Sequence, residues 1–114
     1  MTKKRKGAAI DLSAYKALFL DQAWLHLSNL RQNLARLQDD PADEEAQQEA
    51  HRAAHTLKGM AATMRYEALA ALANNLEHPF VSGAPLALDQ IGTLLAGCDE
   101  FERGLERLHA QDNG

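Results

Sequence analysis

Apolar side chains recur at alternating steps of three and four residues through the first third of the chain, from Leu12 to Leu37. An α-helix turns once in about 3.6 residues, so this spacing aligns them as one stripe along a long helix. A strand would instead need alternation at every second residue. Asp11 or Ser13 can cap the start of this helix, and Asp40-Pro41 should end it. The stripe comprises Leu12, Tyr15, Phe19, Ala23, Leu27, Leu30, Leu34 and Leu37.

Three further amphipathic segments follow the first helix. In the second, Asp40 is the expected N-cap and Pro41 suits the first helical position. The third should run from about Glu67 to Glu77, because Pro79 breaks a helix interior. The stretch from His78 to Pro85 is the longest predicted loop. The predicted buried stripes are Ala46, Ala50, Ala53, Leu57, Met60 and Met64 in the second segment, Leu69, Leu72 and Leu76 in the third, and Leu88, Ile91, Leu95, Cys98, Phe101, Leu105 and Leu108 in the fourth.

The composition favours helices throughout. Alanine (21 residues) and leucine (18) make up about a third of the 114 residues, whereas valine, isoleucine and threonine together supply only 7. Ala and Leu are strong helix formers, and strands prefer β-branched residues. Gly92, Gly97 and Gly104 should weaken the fourth helix by about 1 kcal/mol each relative to alanine. A chain of this length holds one domain, so we predict an all-α fold, an antiparallel four-helix bundle of residues 11–110.

Charge and cysteine content exclude several classes of function. The net charge is −4, yet residues 3–6 (KKRK) are all basic, and beyond them acidic residues outnumber basic ones two to one. Such a body would repel a phosphate backbone, so no nucleic acid partner is expected. Residues 1–10 are predicted to form a flexible basic tail and residues 111–114 a polar tail. The single cysteine, Cys98, excludes an intrachain disulfide framework and a multi-cysteine zinc site. No stretch suits a membrane span or a secretory signal, so we expect a cytoplasmic protein without a membrane partner.

The second helix carries a histidine on its water-facing side. At about 100° per residue, His55 points away from the apolar stripe. His51 lies one turn before it on this face, Lys58 and Gly59 one turn after it, and Ala62 a further turn along. Gly59 costs stability in mid-helix and caps nothing. Together with Ala62 it indicates a flat surface that the backbone of a partner can approach closely.

An exposed imidazole can act as a nucleophile near neutral pH. Attack on a phosphoryl group would give a phosphoramidate with about two negative charges, and Lys58 can pair with its oxygens. A carboxylate that accepts a hydrogen bond from one ring nitrogen would keep the other unprotonated. Glu77, at the end of the third helix, is the best candidate for that carboxylate in an antiparallel bundle. From spacing alone, a solvated helix face is the simpler interpretation of His55 and Lys58.

The string AAHTLKGMAATM, from Ala53 to Met64, resembles the phosphoacceptor segment of histidine phosphotransfer (Hpt) domains, whose signature is H-x-x-K-G. The variant HTLKGMAATM is particularly similar to the N-terminal Hpt domain of CheA-type chemotaxis kinases. The resemblance implies a helical bundle, in agreement with the periodicity. The first helix is similar to the opening helix of those domains at Tyr15, Phe19, Asp21, His26, Leu27, Leu30 and Leu34.

The resemblance implies a role for each site residue. His55 falls on the phosphorylated histidine, and Lys58 on the lysine that supports the phosphoryl group. Gly59 falls on the glycine that opens the face to partners, and Glu77 on the glutamate that hydrogen-bonds the histidine and leaves Nε2 as the nucleophile. The implied partners are a histidine kinase catalytic domain and a response-regulator receiver domain, whose aspartate takes the phosphoryl group. No cofactor is expected on this chain, and Mg²⁺ would belong to the receiver. The chain has no glycine-rich nucleotide loop, so we expect a phosphoacceptor relay domain rather than an enzyme, either as a free-standing relay or as a fragment of a histidine kinase.

Three positions depart from the family pattern. Arg65 stands where a glycine usually ends the helix, which costs about 1 kcal/mol or more if the backbone there is left-handed. Asn74 replaces a second histidine near the site; it can donate a hydrogen bond but cannot titrate. His51 replaces an aromatic residue, and we expect it to be a partly buried neighbour of the site rather than a second phosphoacceptor.

Two other functions remain open. The departures at Arg65 and Asn74 are compatible with an Hpt-like binding module that has lost phosphorylation. Metal binding by His51 and His55, four residues apart, is sterically possible. The sequence offers no obvious third ligand, however, so we predict no metal site.

Trp24 and Leu25 lie off the main stripe of the first helix, and the matching positions of CheA-type domains are commonly charged. Trp is costly to expose and is enriched at interfaces. We therefore hypothesise that part of Leu18, Trp24 and Leu25 forms an apolar contact with a second subunit or a neighbouring domain. The alternative is that they are buried under the fourth helix or the N-terminal tail.

Overall fold

The structure is a computed structural model that describes residues 12–111. Within this range every regular element is helical, as predicted for an all-α chain. The predicted tail of residues 1–10, the candidate cap Asp11 and residues 112–114 lie outside the described range, and Ser13 lies inside the first helix. The elements are α1 (Leu12–Asp39), α2 (Glu44–Thr63), α3 (Glu67–Glu77), a 3₁₀ turn (His78–Phe80) and α4 (Leu88–Ala110).

The four helices form a closed ring around one core, which confirms the predicted bundle. Helix α1 packs against α2 and α4, and α3 packs against the same two helices. The predicted stripes supply most of the buried side chains. Two predictions were wrong, because Tyr15 and Leu88 are exposed. Both lie in the first turn of their helix, and Leu86 from the preceding loop is buried where Leu88 was expected.

The start of α2 differs from the prediction. Its N-cap is Asp43, whose carboxylate accepts a hydrogen bond from the backbone N–H of Ala46 at 3.0 Å. Asp40 instead accepts from the N–H of Ala42 within the connecting turn. Arg36 of α1 also donates to Asp43 at 2.9 Å. Asp43 therefore caps α2 in place of Asp40 and also joins the end of α1 to the start of α2.

Helix α2 ends at Thr63, and the chain then passes through a left-handed conformation at Arg65, the strained case considered from the sequence. Arg65 has φ = 62°, a region that glycine adopts without strain. Its N–H donates to the carbonyl of Ala62, and the N–H of Tyr66 donates to that of Ala61, each at 3.0 Å. This pair of bonds is a Schellman motif with an arginine in the position that usually holds glycine.

The glycines of α4 have different roles. A Cβ on Gly97 would lie 2.9 Å from Leu76, and one on Gly104 would lie 2.6 Å from Leu69. Both leucines belong to α3, so these two glycines let α3 approach α4 closely. Gly92 has no atom near its Cβ position. Only Gly92 therefore fits the expectation that glycine merely weakens this helix.

The chain after α3 is more ordered than the predicted loop. Helix α3 ends at Glu77, as Pro79 predicted, and the 3₁₀ turn His78–Phe80 continues directly from it. Phe80 is buried in the core. This anchor holds the end of α3 against α2 and thereby fixes the position of Glu77.

Two further observations on the described range concern the reactivity of Cys98 and the ability of the helices to cross a membrane. Burial raises the pKa of the Cys98 thiol to about 12, so this cysteine stays protonated and packs as an apolar residue. Between residues 12 and 111, the helices are too short or too polar to cross a bilayer.

Candidate functional site

His55 lies in α2 with its side chain 68% exposed, as the helical wheel predicted. Its Nδ1 is 2.7 Å from Oε2 of Glu77, the last residue of α3. An ionised carboxylate accepts hydrogen bonds and donates none, so Nδ1 carries the ring proton. In the neutral ring, the other nitrogen, Nε2, then carries the lone pair on an exposed side chain, which is what a nucleophile requires.

Glu77 is the centre of this site, with its side chain 9% exposed. Its Oε1 lies 2.7 Å from Nζ of Lys58, and its Oε2 is also 3.4 Å from Nε2 of His51. The hydrogen bond from Lys58, and then that from His55, lowers the pKa of Glu77 to about 2, although burial acts in the opposite direction. The carboxylate is therefore ionised at neutral pH and can hold the His55 tautomer.

Lys58 lies one turn from His55 on α2, as predicted, and its ammonium group rests on Glu77. It also lies 3.5 Å from Oδ1 of Asn74, at the limit of a hydrogen bond. Asn74 was expected as a donor, and here it accepts from the lysine. The lysine stem has rotatable bonds, so the same ammonium group can reach oxygens bound to the neighbouring His55.

For His51, the sequence predicted partial burial beside the site but not the contacts that the side chain makes. Its side chain is 39% exposed, which agrees with the expected partial burial. The imidazole stacks on Phe80 with ring centroids 5.6 Å apart and planes at 10°. The contact between His51 and Glu77 was not predicted, although the spacing of four residues between His51 and His55 placed both on the face that meets α3.

The surface around His55 is open to a partner. Gly59 is exposed, and a Cβ there would meet no atom within 4 Å. Ala62, further along α2, and Arg65, in the turn that follows the helix, are also exposed. Beside His55, α1 and α2 form a largely apolar groove, which the sequence did not predict as part of the site. Its lining is Tyr15, Leu18, Phe19, Gln22, His55, Thr56, Gly59, Met60, Thr63 and Met64.

Two of the three apolar residues proposed for a contact surface are largely exposed, and the third lies partly against α4. Leu18 and Leu25 are largely exposed, and Trp24 is 37% exposed. Leu18 faces the groove beside His55, whereas Trp24 lies in a separate depression formed by α1 and α4. The structure thus divides these residues between two surfaces, and their contact with a second subunit or domain stays a prediction.

The arrangement also bears on the metal hypothesis. In the described part of the chain, no three His, Cys, Asp or Glu side chains are arranged to hold a metal ion. The nearest carboxylate to His51 and His55 is that of Glu77, and the ammonium of Lys58 already lies on it.

Known proteins match this chain over most of its length. The family model of the Hpt domain matches residues 14–111. The chemotaxis protein CheA of Bacillus subtilis (strain 168) is 42% identical over 69 residues, which cover 60% of this chain and 10% of that protein. The CheA phosphotransferase domain from Thermotoga maritima matches with a TM-score of 0.76 and 34% identity, covering 83% of this chain and 94% of that one. A solution structure of the histidine phosphotransfer domain of CheA gives a TM-score of 0.78 and 33% identity, covering 86% of this chain and 77% of that one.

Proposed function

The chain belongs to the Hpt domain family, and on that premise we propose that His55 is its phosphoacceptor. An Hpt domain is a phosphotransfer module rather than a kinase catalytic domain, and its function is histidine phosphotransfer in two-component signalling. The observation that carries the assignment of His55 is the 2.7 Å hydrogen bond between its Nδ1 and Glu77. In the neutral imidazole this bond places the proton on Nδ1 and leaves Nε2 as the exposed nucleophile.

In the first step, Nε2 of His55 attacks the γ-phosphorus of ATP held by a kinase. The Nε2–P bond forms as the bond from phosphorus to the bridging oxygen breaks, and ADP leaves with that electron pair. The imidazole gains positive charge while Nδ1 keeps its proton. Glu77 stabilises that charge because it accepts the Nδ1–H bond as a carboxylate.

In the second step, a carboxylate oxygen of a receiver aspartate attacks the phosphorus. The P–Nε2 bond breaks and its electron pair returns to the ring of His55, which is then neutral again. Lys58 pairs with the phosphoryl oxygens while they are bound to His55. We assign Mg²⁺ to the acidic pocket of the receiver and no cofactor to this chain.

Gly59 and Ala62 serve docking in this scheme, because their small side chains let the receiver backbone come close to His55. Arg65 adds a positive charge at the end of the same face. The apolar groove between α1 and α2 reaches His55 and extends this surface.

The proposed partners are the catalytic domain of a histidine kinase and the receiver domain of a response regulator. The chain spans 10% of the length of its Bacillus subtilis relative, so the identity of both partners is part of the proposal. The kinase draws on ATP, and we therefore place the reaction in the cytoplasm.

The alternative was an Hpt-like module without phosphorylation, motivated by Arg65 and Asn74. The left-handed turn at Arg65 completes a Schellman motif, and Asn74 contacts Lys58. Neither residue displaces the hydrogen bond between His55 and Glu77. The geometry therefore favours the phosphorylated module.

The proposal is tested by incubating the chain with radiolabelled ATP and a histidine kinase catalytic domain. The label should be acid-labile and should disappear in His55→Gln. His26→Gln is the matched control, because His26 lies on α1, outside the site, and it should label as the wild type does. Labelling of His55→Gln at the wild-type level would refute the assignment.

A further inference from the structure

One buried carboxylate faces three nitrogen donors at this site. Glu77 Oε1 is 2.7 Å from Lys58, and Oε2 is 2.7 Å from His55 and 3.4 Å from His51. The imidazole of His51 is held in place by its stack on Phe80, which follows Glu77 in the adjoining 3₁₀ turn. The stack holds the plane of the His51 ring, and Nε2 is the ring nitrogen that lies near Glu77.

Phosphorylation of His55 gives Lys58 a second negatively charged group with which it can pair. A phosphoryl group on Nε2 of His55 brings about two negative charges to the exposed side of the ring. Lys58 is the cation one turn away, yet its ammonium group already forms an ion pair with Glu77. When Lys58 moves toward the phosphoryl oxygens, the buried Glu77 loses a charged donor, and an under-bonded buried carboxylate is costly.

Asn74 does not supply the hydrogen-bond donor that Glu77 loses. Its Oδ1 is the atom near Lys58, so it accepts a hydrogen bond and faces the lysine rather than the carboxylate. Apart from Lys58 and His55, His51 is the group recorded near the Glu77 carboxylate in the described range. The remaining nitrogen near the carboxylate is thus Nε2 of His51, which can donate in its Nε2–H form.

We propose that His51 is a positioning residue that supplies a compensating hydrogen bond to the Glu77 carboxylate when Lys58 moves to the phosphoryl group on His55. This inference rests on the proposed phosphorylation of His55. In the resting state His51 makes only a loose 3.4 Å contact. In the phosphorylated state this contact with Oε2 shortens to a hydrogen bond, which compensates the carboxylate for the donor lost at Oε1 and keeps Glu77 oriented toward Nδ1 of His55. His51 never touches the phosphoryl group; it acts through Glu77 and Lys58.

Two variants separate the role of the N–H donor of His51 from that of its aromatic ring. His51→Phe keeps an aromatic ring to stack on Phe80 but has no N–H, whereas His51→Gln restores an N–H donor without the ring. Phosphorylation is followed with a kinase domain and ATP and, in parallel, with phosphoramidate as a small-molecule donor. With phosphoramidate, the Nε2–P bond forms as the donor P–N bond breaks and ammonia leaves. If a variant slows phosphorylation by both donors, a lost contact with the kinase cannot explain the slowing, because phosphoramidate acts without the kinase.

We expect His51→Phe to slow phosphorylation about threefold to tenfold, the effect of one net hydrogen bond. His51→Gln should recover most of that loss. In a Lys58→Met background, where no lysine leaves Glu77, His51→Phe should cause no further slowing. Ring-nitrogen NMR of the wild type should show that Nε2 of His51 shifts on phosphorylation, while the ring of His26 does not. Thermal melting of each variant checks that it is folded.

The outcomes distinguish this inference from the proposed function. If His55→Gln abolishes labelling but His51→Phe labels at the wild-type rate, His51 is a packing residue and the inference is wrong. An equal slowing by His51→Phe with and without Lys58 would also overturn it, because His51 would then act independently of the lysine. If neither donor labels the wild type, the proposed function fails, and this inference fails with it.

Discussion

Nδ1 of His55 and Oε2 of Glu77 are 2.7 Å apart, although 22 residues separate the two side chains along the chain. The bond joins an exposed ring on α2 to a buried carboxylate at the end of α3. It selects the ring tautomer and at the same time ties the two helices together. The chemistry and the packing of this domain therefore depend on the same contact.

Glu77→Gln should slow phosphorylation roughly 10- to 100-fold, because a hydrogen bond to a charged group is worth about 1.5–3 kcal/mol. Glutamine keeps the size of the side chain but cannot stabilise positive charge on the imidazole. The measurement is the initial rate of label incorporation. Glu67→Gln, at the exposed start of α3, is the matched control and should label normally. Equal rates for both variants would show that Glu77 does not serve the imidazole.

Acid should remove a stabilising contribution that Glu77 makes. Its pKa is about 2 in the folded chain against an ordinary value of 4.5, so the unfolded chain binds the proton more tightly. The contribution is complete above pH 4.5 and is lost as the pH falls from 4.5 toward about 2. Urea unfolding across that range should show a steeper loss for the wild type than for Glu77→Gln. Parallel curves for the two proteins would contradict the assigned pKa.

Gly104→Ala and Gly92→Ala should change stability in opposite directions. A Cβ at Gly104 would lie 2.6 Å from buried Leu69, so we expect a loss of about 1–3 kcal/mol from overpacking. A Cβ at Gly92 meets open space, so that variant should gain roughly 0.5–1 kcal/mol from helix propensity. Urea unfolding of the two variants is the measurement. A gain in both would mean that α3 can move away from α4 at little cost.

Arg65→Gly should stabilise the fold by about 1 kcal/mol, because glycine adopts a φ of 62° without the Cβ strain that arginine carries. Arg65→Ala is the control, since alanine removes the charge but keeps the strain, and it should leave stability nearly unchanged. Equal stabilities of the glycine and alanine variants would show that the turn at Arg65 carries no strain. Thermal or urea unfolding distinguishes these outcomes.

The sequence by itself determined the helices and the face of α2 that carries His55, Lys58 and Gly59. Helical periodicity is a local property, so side chains three and four residues apart share a face whatever packs against the helix. Proline placement likewise predicted the end of α3. The position of Glu77 near His55 was also anticipated, from the antiparallel order of the helices and from the resemblance to Hpt domains.

Tertiary structure decided which side chains meet between helices. The cap of α2 is Asp43 rather than Asp40, and the Asp43 carboxylate also contacts Arg36 of α1. The close approach at Gly97 and Gly104 depends on leucines of α3. The convergence of His51, His55 and Lys58 on Glu77 depends on the register of α2 against α3, which Phe80 sets from the core. Such contacts join residues far apart in the chain, and packing of the core, rather than local periodicity, sets their distances.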